Sequence, residues 1–232
     1  MKNFTSLCVT CAVVLSLAFA GCGKKSETAA PVTGTEQKTT QVAGEAPATV
    51  PGPSKKPITE ERTYYGFETD LQGWEIPQWS KDKVDYIAKG VSVSQDISSE
   101  GKSSMKIATE YPGEAWSASL VEIQQYLDLS SFRVISVDIY LPKEAPAGLK
   151  AKLILTVGDN WKFVEMNHNY PLVPGQWTTI TANIEPGSYD WKRVVPDEKF
   201  AQDVRKIAVR IEGNRQQKYT GPIYIDNIRV GK

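Results

Sequence analysis

All six tryptophans and all ten tyrosines of this chain lie beyond Thr59. Large side chains are what a core is built from, so this distribution confines the folded part to 59–232, a length that buries a sizeable core as one domain. Between Gly23 and about Pro57 the chain runs instead through Thr, Ala, Gly, Pro, Gln and Lys without one aromatic residue. Such a stretch buries too little apolar area to offset the entropy of ordering it. Residues 22–58 therefore read as a disordered tether with a mean span of roughly 30 Å for about 35 residues. A pro-peptide is the rival reading.

Within 59–232 the apolar pattern is that of short strands. Ser103–Thr109, Ala118–Ile123, Val134–Leu141, Lys150–Val157, Trp177–Ile184, Lys206–Glu212 and Ile223–Val230 each alternate or run with β-branched residues. Turn signals separate them: Ser-Glu-Gly at 99–101, Pro-Gly at 112–113, Gly-Asp-Asn at 158–160 and Pro-Gly at 174–175. One helical turn is expected at Pro196–Val204, capped by Asp197 with Phe200 and Val204 on one face. Many short strands with almost no helix indicate an all-β sandwich.

The segment Met1–Gly21 has a different logic. Lys2 gives a positive start, Leu7–Phe19 is apolar apart from a few small or polar residues, and Ala20-Gly21 precede Cys22. This is the build of a secretory signal peptide. The apolar run falls short of the roughly 20 residues that cross a bilayer. Phe19-Ala20-Gly21-Cys22 resembles the lipobox of a bacterial lipoprotein, with Phe where Leu is usual. The resemblance implies that Cys22 becomes the lipidated first residue of the mature chain; the alternative is ordinary export with Cys22 left as a free thiol. Cys8 and Cys11 spell C-x-x-C inside the segment expected to be removed, so neither a disulfide nor a thiolate metal site is expected in the mature protein.

Charge is balanced, with 27 basic and 27 acidic residues and a pI near 6.6. No basic stripe of the kind that releases counterions from phosphate is present, so a nucleic-acid partner is not expected. A neutral partner such as an uncharged polysaccharide or oligosaccharide fits better.

Several segments, in order, resemble the jelly-roll, galactose-binding-like carbohydrate-binding modules attached to bacterial mannan and glucan hydrolases. Phe67-Glu68-Thr69-Asp70-Leu71-Gln72-Gly73-Trp74 resembles their first strand and Glu100–Ile107 their Gly-x-x-Ser strand. Asp138–Pro142 through Gly158–Trp161 resembles their middle, and Pro174–Thr178 and Ile223–Ile228 their closing strands. The resemblance implies a structural calcium ion held by Glu68 and Asp226 with backbone oxygens near Gly101, Lys102 and Ser103. Calcium takes six to eight oxygens and accepts carbonyls among them; without it, these two residues would meet lysines or water.

A sugar stacks its apolar face on aromatic rings while polar neighbours bind its hydroxyls. Alternation assigns which strand residues are free to do this. In Ile207–Glu212 the core receives Ile207, Val209 and Ile211, leaving Arg210 and Glu212 outward beside the small Ala208. Trp161, Phe163 and Glu165 share one side of the next candidate strand. Trp116 and Trp79 complete the set of expected sugar contacts, with Tyr189 or Trp191 as weaker candidates. Trp74 and Trp177 are expected in the core, and each outward tryptophan has core burial as its plain alternative. Arg210 and Glu212 have pairing with neighbouring charges as theirs.

No catalytic set accompanies this face. Jelly-roll glycosidases carry two carboxylates about 5 to 9.5 Å apart, often from a Glu-x-Asp-x-x-Glu strand, which is missing. Arg210-Ile211-Glu212-Gly213-Asn214-Arg215 resembles half of an alginate-lyase motif, but the only histidine, His168, lies in Met-Asn-His-Asn-Tyr and reads as a solvated turn residue. The expectation is a non-catalytic carbohydrate-binding lipoprotein, anchored to a bacterial membrane and facing the periplasm or the cell surface. The alternative is an envelope structural or protein-interaction lipoprotein that uses the same sandwich face, and a jelly-roll glycoside hydrolase or polysaccharide lyase is the third and less favoured reading. An open groove with coplanar exposed rings would favour a glycan; a flat apolar patch would favour a protein. Anchoring has a direct check: a fatty-acid analogue fed to cells should label the wild type and miss Cys22→Ala, and label on both or on neither overturns it.

Overall fold

The computed structural model describes residues 52–54 and 56–232; the signal segment, Cys8, Cys11, Cys22 and most of the 22–58 tether lie outside the described residues. The described chain runs through β1 (Glu61–Tyr65), the single-turn helix α1 (Gln78–Lys81), β2 (Ala88–Ser94), β3 (Ser104–Tyr111), β4 (Ser117–Leu127) and β5 (Val134–Leu141). It continues through β6 (Lys150–Val157), β7 (Lys162–Glu165), β8 (Tyr170–Pro171), β9 (Gln176–Asn183), β10 (Val204–Gly213) and β11 (Tyr219–Gly231).

Two antiparallel sheets pack face to face. One has the order β2-β3-β11-β5-β9, with β1 paired to the far end of β11; the other has the order β4-β10-β6-β7, with β8 beside β7 on the edge of β6. Alternation does the sorting. Ile207, Val209 and Ile211 of β10 point inward, and register sets Val209 beside Val121 and Leu153. From the other sheet come Ile135, Val137 and Ile139 of β5, and Ile223 and Ile225 of β11. Burying each such side chain contributes about 1.5–3 kcal/mol, enough to fix register, since a one-residue slip would turn the whole set to solvent.

In β11 the alternation changes phase. Ile223 and Ile225 are inward, but so are Ile228 and Val230. The ladder shifts between Asp226 and Arg229, where Asn227 takes a left-handed backbone with φ 46°. This bulge absorbs one residue and returns Ile228 to the core. It leaves Asp226 buried on the outer side, under the turn at 98–102.

Two sequence expectations need correction. The first strand is Glu61–Tyr65, upstream of Phe67: Phe67 sits at φ 53° in the following loop and is fully buried against Trp74, with ring centroids 6.3 Å apart. Residues Pro196–Val204 form non-helical turns leading into β10, although Asp197 Oδ1 does accept from the Lys199 N–H and Phe200 and Val204 are buried. The helical turn lies instead at Gln78–Lys81, where Ser80 Oγ donates back to Pro77 O.

The two ends of the sandwich strands meet. Thr59 N–H donates to Lys232 O and Lys232 N–H to Glu60 O. Just upstream, Arg133 donates to the carbonyls of Ser54, Lys56 and Pro57, while Glu185 accepts from the Ser54 N–H at 3.0 Å. An arginine and a glutamate thus clip the chain to the flank of the domain before β1 begins.

Candidate functional site

Register divides the outer face of the five-stranded sheet into rows. Gln124, Lys206, Thr156 and Phe163 form one, Glu122, Ala208, Ile154 and Glu165 the next, then Leu120, Arg210 and Lys152, then Ala118, Glu212 and Lys150. Leu120, Ile154 and Ala208 make a small apolar floor of their own, with Tyr86 packed against it. Because Ala208 is short, the face dips there into a groove of about 250 Å³ walled by Trp79 on one side and by Trp161 and Phe163 on the other. Lys206 closes one part of it by donating to Glu122 at 2.6 Å.

All six expected contact residues come to this face. Trp79 is carried by α1 and Trp116 precedes β4. Trp161 ends the turn after β6, Glu165 ends β7, and Arg210 and Glu212 lie on β10. Trp79 and Trp161 are 41% and 40% exposed, well above a core tryptophan such as Trp74 at 2%. Trp161 holds a left-handed backbone at φ 52°, fixed by its N–H bond to Gly158 O. That region disfavours residues with a Cβ, so the turn keeps a large ring at the groove edge in a conformation an ordinary strand would not adopt.

Aromatic neighbours extend both walls. Tyr86 meets Trp79 at 5.0 Å and Trp116 at 5.9 Å, and Tyr126 meets Trp161 at 6.2 Å, with interplanar angles of 75–80°. The exposed rings are therefore not coplanar with their neighbours: adjacent faces point in different directions around an open groove. Arg205, forked onto Asp203, lies over both Tyr126 and Trp161 at 5.4 and 5.2 Å.

A charged cluster sits at the other end. Glu165 accepts from Lys192 Nζ and from Arg210 Nη2, each at 2.7 Å, with Lys152 Nζ at 3.7 Å. Arg210 also approaches Glu212 at 3.0 Å, without hydrogen-bond geometry at Nε, and lies 5.9 Å over the Trp116 ring. Asn169 donates to the other oxygen of Glu212. Burial pushes the Glu165 carboxyl up, but Lys192, Arg210 and Lys152 outweigh it and leave its pKa below the ordinary glutamate value. Burial lowers the pKa of Lys152 despite the glutamates nearby.

Some candidates belong elsewhere. Trp191 is buried, with its indole N–H donating to Asn183 O at 2.7 Å, whereas Tyr189 is 77% exposed. Trp177, expected in the core, is half-buried on the outer face of the six-stranded sheet, because Ile180 and Ala182 take the inward positions of β9. His168 is exposed in its loop.

Glu68 and Asp226 converge on one turn. Both Glu68 oxygens lie 3.1 Å from Lys102 N, and Asp226 accepts from the N–H groups of Ser99, Glu100 and Asn227 and from Ser99 Oγ. Gly101 lies at φ 66°, a region that disfavours a Cβ, and a Cβ there would fall 1.9 Å from Glu68 Oε1, so any other residue would be strained and would displace the Glu68 carboxylate. The oxygens gathered here suit a hard cation in kind, yet both carboxylates already bind N–H groups. No cluster of three or more acidic, histidine or cysteine side chains that could hold a metal occurs among the described residues. Burial raises the Asp226 pKa, opposed by its N–H partners.

Residues 65–227 match the family described as mannanase, galactose-binding domain-like. The chain belongs to that family. Solved structures similar to this galactose-binding-like domain include the carbohydrate-binding module CBM27-1 of Caldicellulosiruptor saccharolyticus in complex with mannohexaose. It is 20% identical over 74% of this chain and 97% of its own, with a TM-score of 0.53. CBM28, a module specific for non-crystalline cellulose, is 15% identical over 75% of this chain and 96% of its own, with a TM-score of 0.53. At these identities the likeness concerns the fold, which is that of the jelly-roll carbohydrate-binding modules. No curated protein matches the sequence.

Sequence reading had missed Tyr86, Tyr126, Lys192 and Asn169. It also missed Glu122, Lys152 and Lys206, which alternation along β4, β6 and β10 would have turned outward. The Glu165 cluster sets a pH signature. A carboxyl with a depressed folded pKa stabilises fully above its unfolded value, about 4.3, and loses that contribution as pH falls through the folded value. The stability difference between wild type and Glu165→Gln should therefore stay level from about pH 5 to about pH 8 and shrink below about pH 4 in thermal unfolding.

Proposed function

We propose that this protein is a non-catalytic, lipid-anchored extracytoplasmic lipoprotein that holds a neutral β-glycan at the bacterial envelope. The observation that carries the reading is the open groove over Ala208, walled by exposed tryptophans and ended by charged residues held in place by each other. A sugar ring laid on Trp161 or Trp79 keeps its C–H face dry, while the Arg210–Glu165 and Lys206–Glu122 pairs offer donors and acceptors to its hydroxyls. The family match and the mannohexaose complex of a similar fold support this ligand class. The face is a groove and not a flat apolar patch, which is one half of what a glycan site calls for; its exposed rings stand at 75–80° to their aromatic neighbours and do not supply the coplanar platform that is the other half. Cys22 is the proposed anchor and 22–58 the tether that holds the domain off the membrane.

The test is a pair of measurements on Trp161→Ala. Binding to β-mannan and β-glucan in affinity gels should weaken at least about tenfold, equivalent to about 1.4 kcal/mol, with little change in thermal unfolding. A core tryptophan would instead lose about 3–5 kcal/mol of stability; that result with unchanged binding overturns the groove. Retardation of wild-type protein by neither polysaccharide would favour the protein-partner reading.

Calcium at Glu68 and Asp226 is a further part of the proposal, since a cation would offset the burial of the Asp226 charge. Chelator should then lower the melting temperature and added calcium restore it, by about 2.7 kcal/mol at 100-fold excess over the dissociation constant. Glu68→Gln should abolish the response. A melting curve indifferent to chelator would leave the turn closed by its hydrogen bonds alone.

A further inference from the structure

The outer face of the six-stranded sheet carries its own aromatic row. Register places Lys106, Tyr224, Tyr140 and Trp177 side by side on the adjacent strands β3, β11, β5 and β9. The Tyr140 ring lies 5.5 Å from Trp177 and 6.2 Å from Tyr224. None of these rings is inward, so the core does not account for them. At one end Asp96 accepts from Tyr224 OH at 2.9 Å and from Lys106 Nζ at 2.7 Å. A hollow of about 410 Å³ opens beside Tyr140 and Tyr224, bordered by Asp96, Glu144, Pro142 and Pro222.

We propose that this row and hollow form a second sugar-contact site, on the sheet opposite the groove, which takes neutral pyranose units of a glycan. The half-buried rings of Tyr140 and Trp177 and the two prolines supply apolar surface. Tyr224, only 6% exposed, packs between Tyr140 and Lys106 beneath them, and Asp96 and Glu144 supply acceptors for hydroxyl donors. Hydrogen bonds from Lys106, Ser94 and Tyr224 hold the Asp96 carboxyl at about 2, so it remains an acceptor throughout the neutral range. Two carboxylates against one lysine, itself bound to Asp96, disfavour an acidic polysaccharide. The ligand class rests on the reading of the groove, but the site does not share a residue with it. With both faces in use, one domain joins two glycan chains.

The experiment is a titration of the isotope-labelled full chain with mannohexaose and with cellohexaose, followed by the amide and indole N–H signals in NMR spectra. The indole of Trp177 and the amides of Lys106 and Tyr224 should shift in the wild type and equally in Trp161→Ala. In Trp177→Ala the Lys106 and Tyr224 shifts should vanish while the Trp161 indole still responds. Asp96→Asn, an exposed and conservative change, should weaken the second-face shifts at least threefold even if Trp177→Ala proves unstable. Shifts at Trp161 with none at Trp177, Lys106 or Tyr224 overturn this site and leave the groove standing. Second-face shifts without any at Trp161 support the site and overturn the groove. Silence on both faces with both sugars overturns both.

Discussion

A strand buried on one side only must give every second residue to the core, and the architecture of this protein follows from that constraint. Ile207, Val209 and Ile211 are inward because β10 pairs with both β4 and β6, so a slip would expose three large side chains at once. The same pairing brings Ala208 between Glu122 and Ile154, and Arg210 between Leu120 and Lys152. The groove is thus a by-product of register: a short residue flanked by long ones makes a dip wherever the rows are held in place. Where alternation fails, in β11, a bulge at Asn227 restores it, directly after a buried aspartate that still pairs with Asp138 in the ladder.

The charged end of the groove is organised around one carboxylate. Glu165 draws Arg210, Lys192 and Lys152 from β10, the loop after β9 and β6 respectively. Desolvating such groups costs several kcal/mol per ion, and ion pairs of this kind contribute little net stability. Their effect is positional. Lys192 follows the buried Trp191, so the loop's core anchor and the groove's polar end are adjacent in sequence, and a guanidinium that would otherwise be mobile is fixed over Trp116.

Much of this is legible in the sequence. Val134–Leu141 and Lys150–Val157 begin and end where their turn signals place them, because each is flanked by Pro, Gly or charge and buries a regular alternation. The six groove candidates were accessible because alternation and the cost of an exposed tryptophan are local properties. Other features were not local. Trp177 reads as core on hydrophobicity alone, and only the pairing of β9 with β5 shows that its side faces outward beside Tyr140. Phe67 reads as strand, but its left-handed backbone turns it out of β1 and into the core. The four-residue helix at 78–81 is too short for any periodicity to reveal. Lys192 and Asn169 reach the site from loops, and their placement depends on tertiary contacts that a one-dimensional pattern does not encode.

The clip formed by Arg133 and Glu185 has a mechanical meaning. If the proposed groove and the proposed anchor are both engaged, the domain is placed under tension whenever the two are drawn apart. Force entering from upstream of Ser54 reaches the guanidinium's bonds to three carbonyls before it reaches the β1–β11 ladder. Three separate contacts therefore stand in the chain ahead of the edge strand. The edge strand, paired to β11 from Glu61 to Tyr65, comes after them along the path of the chain.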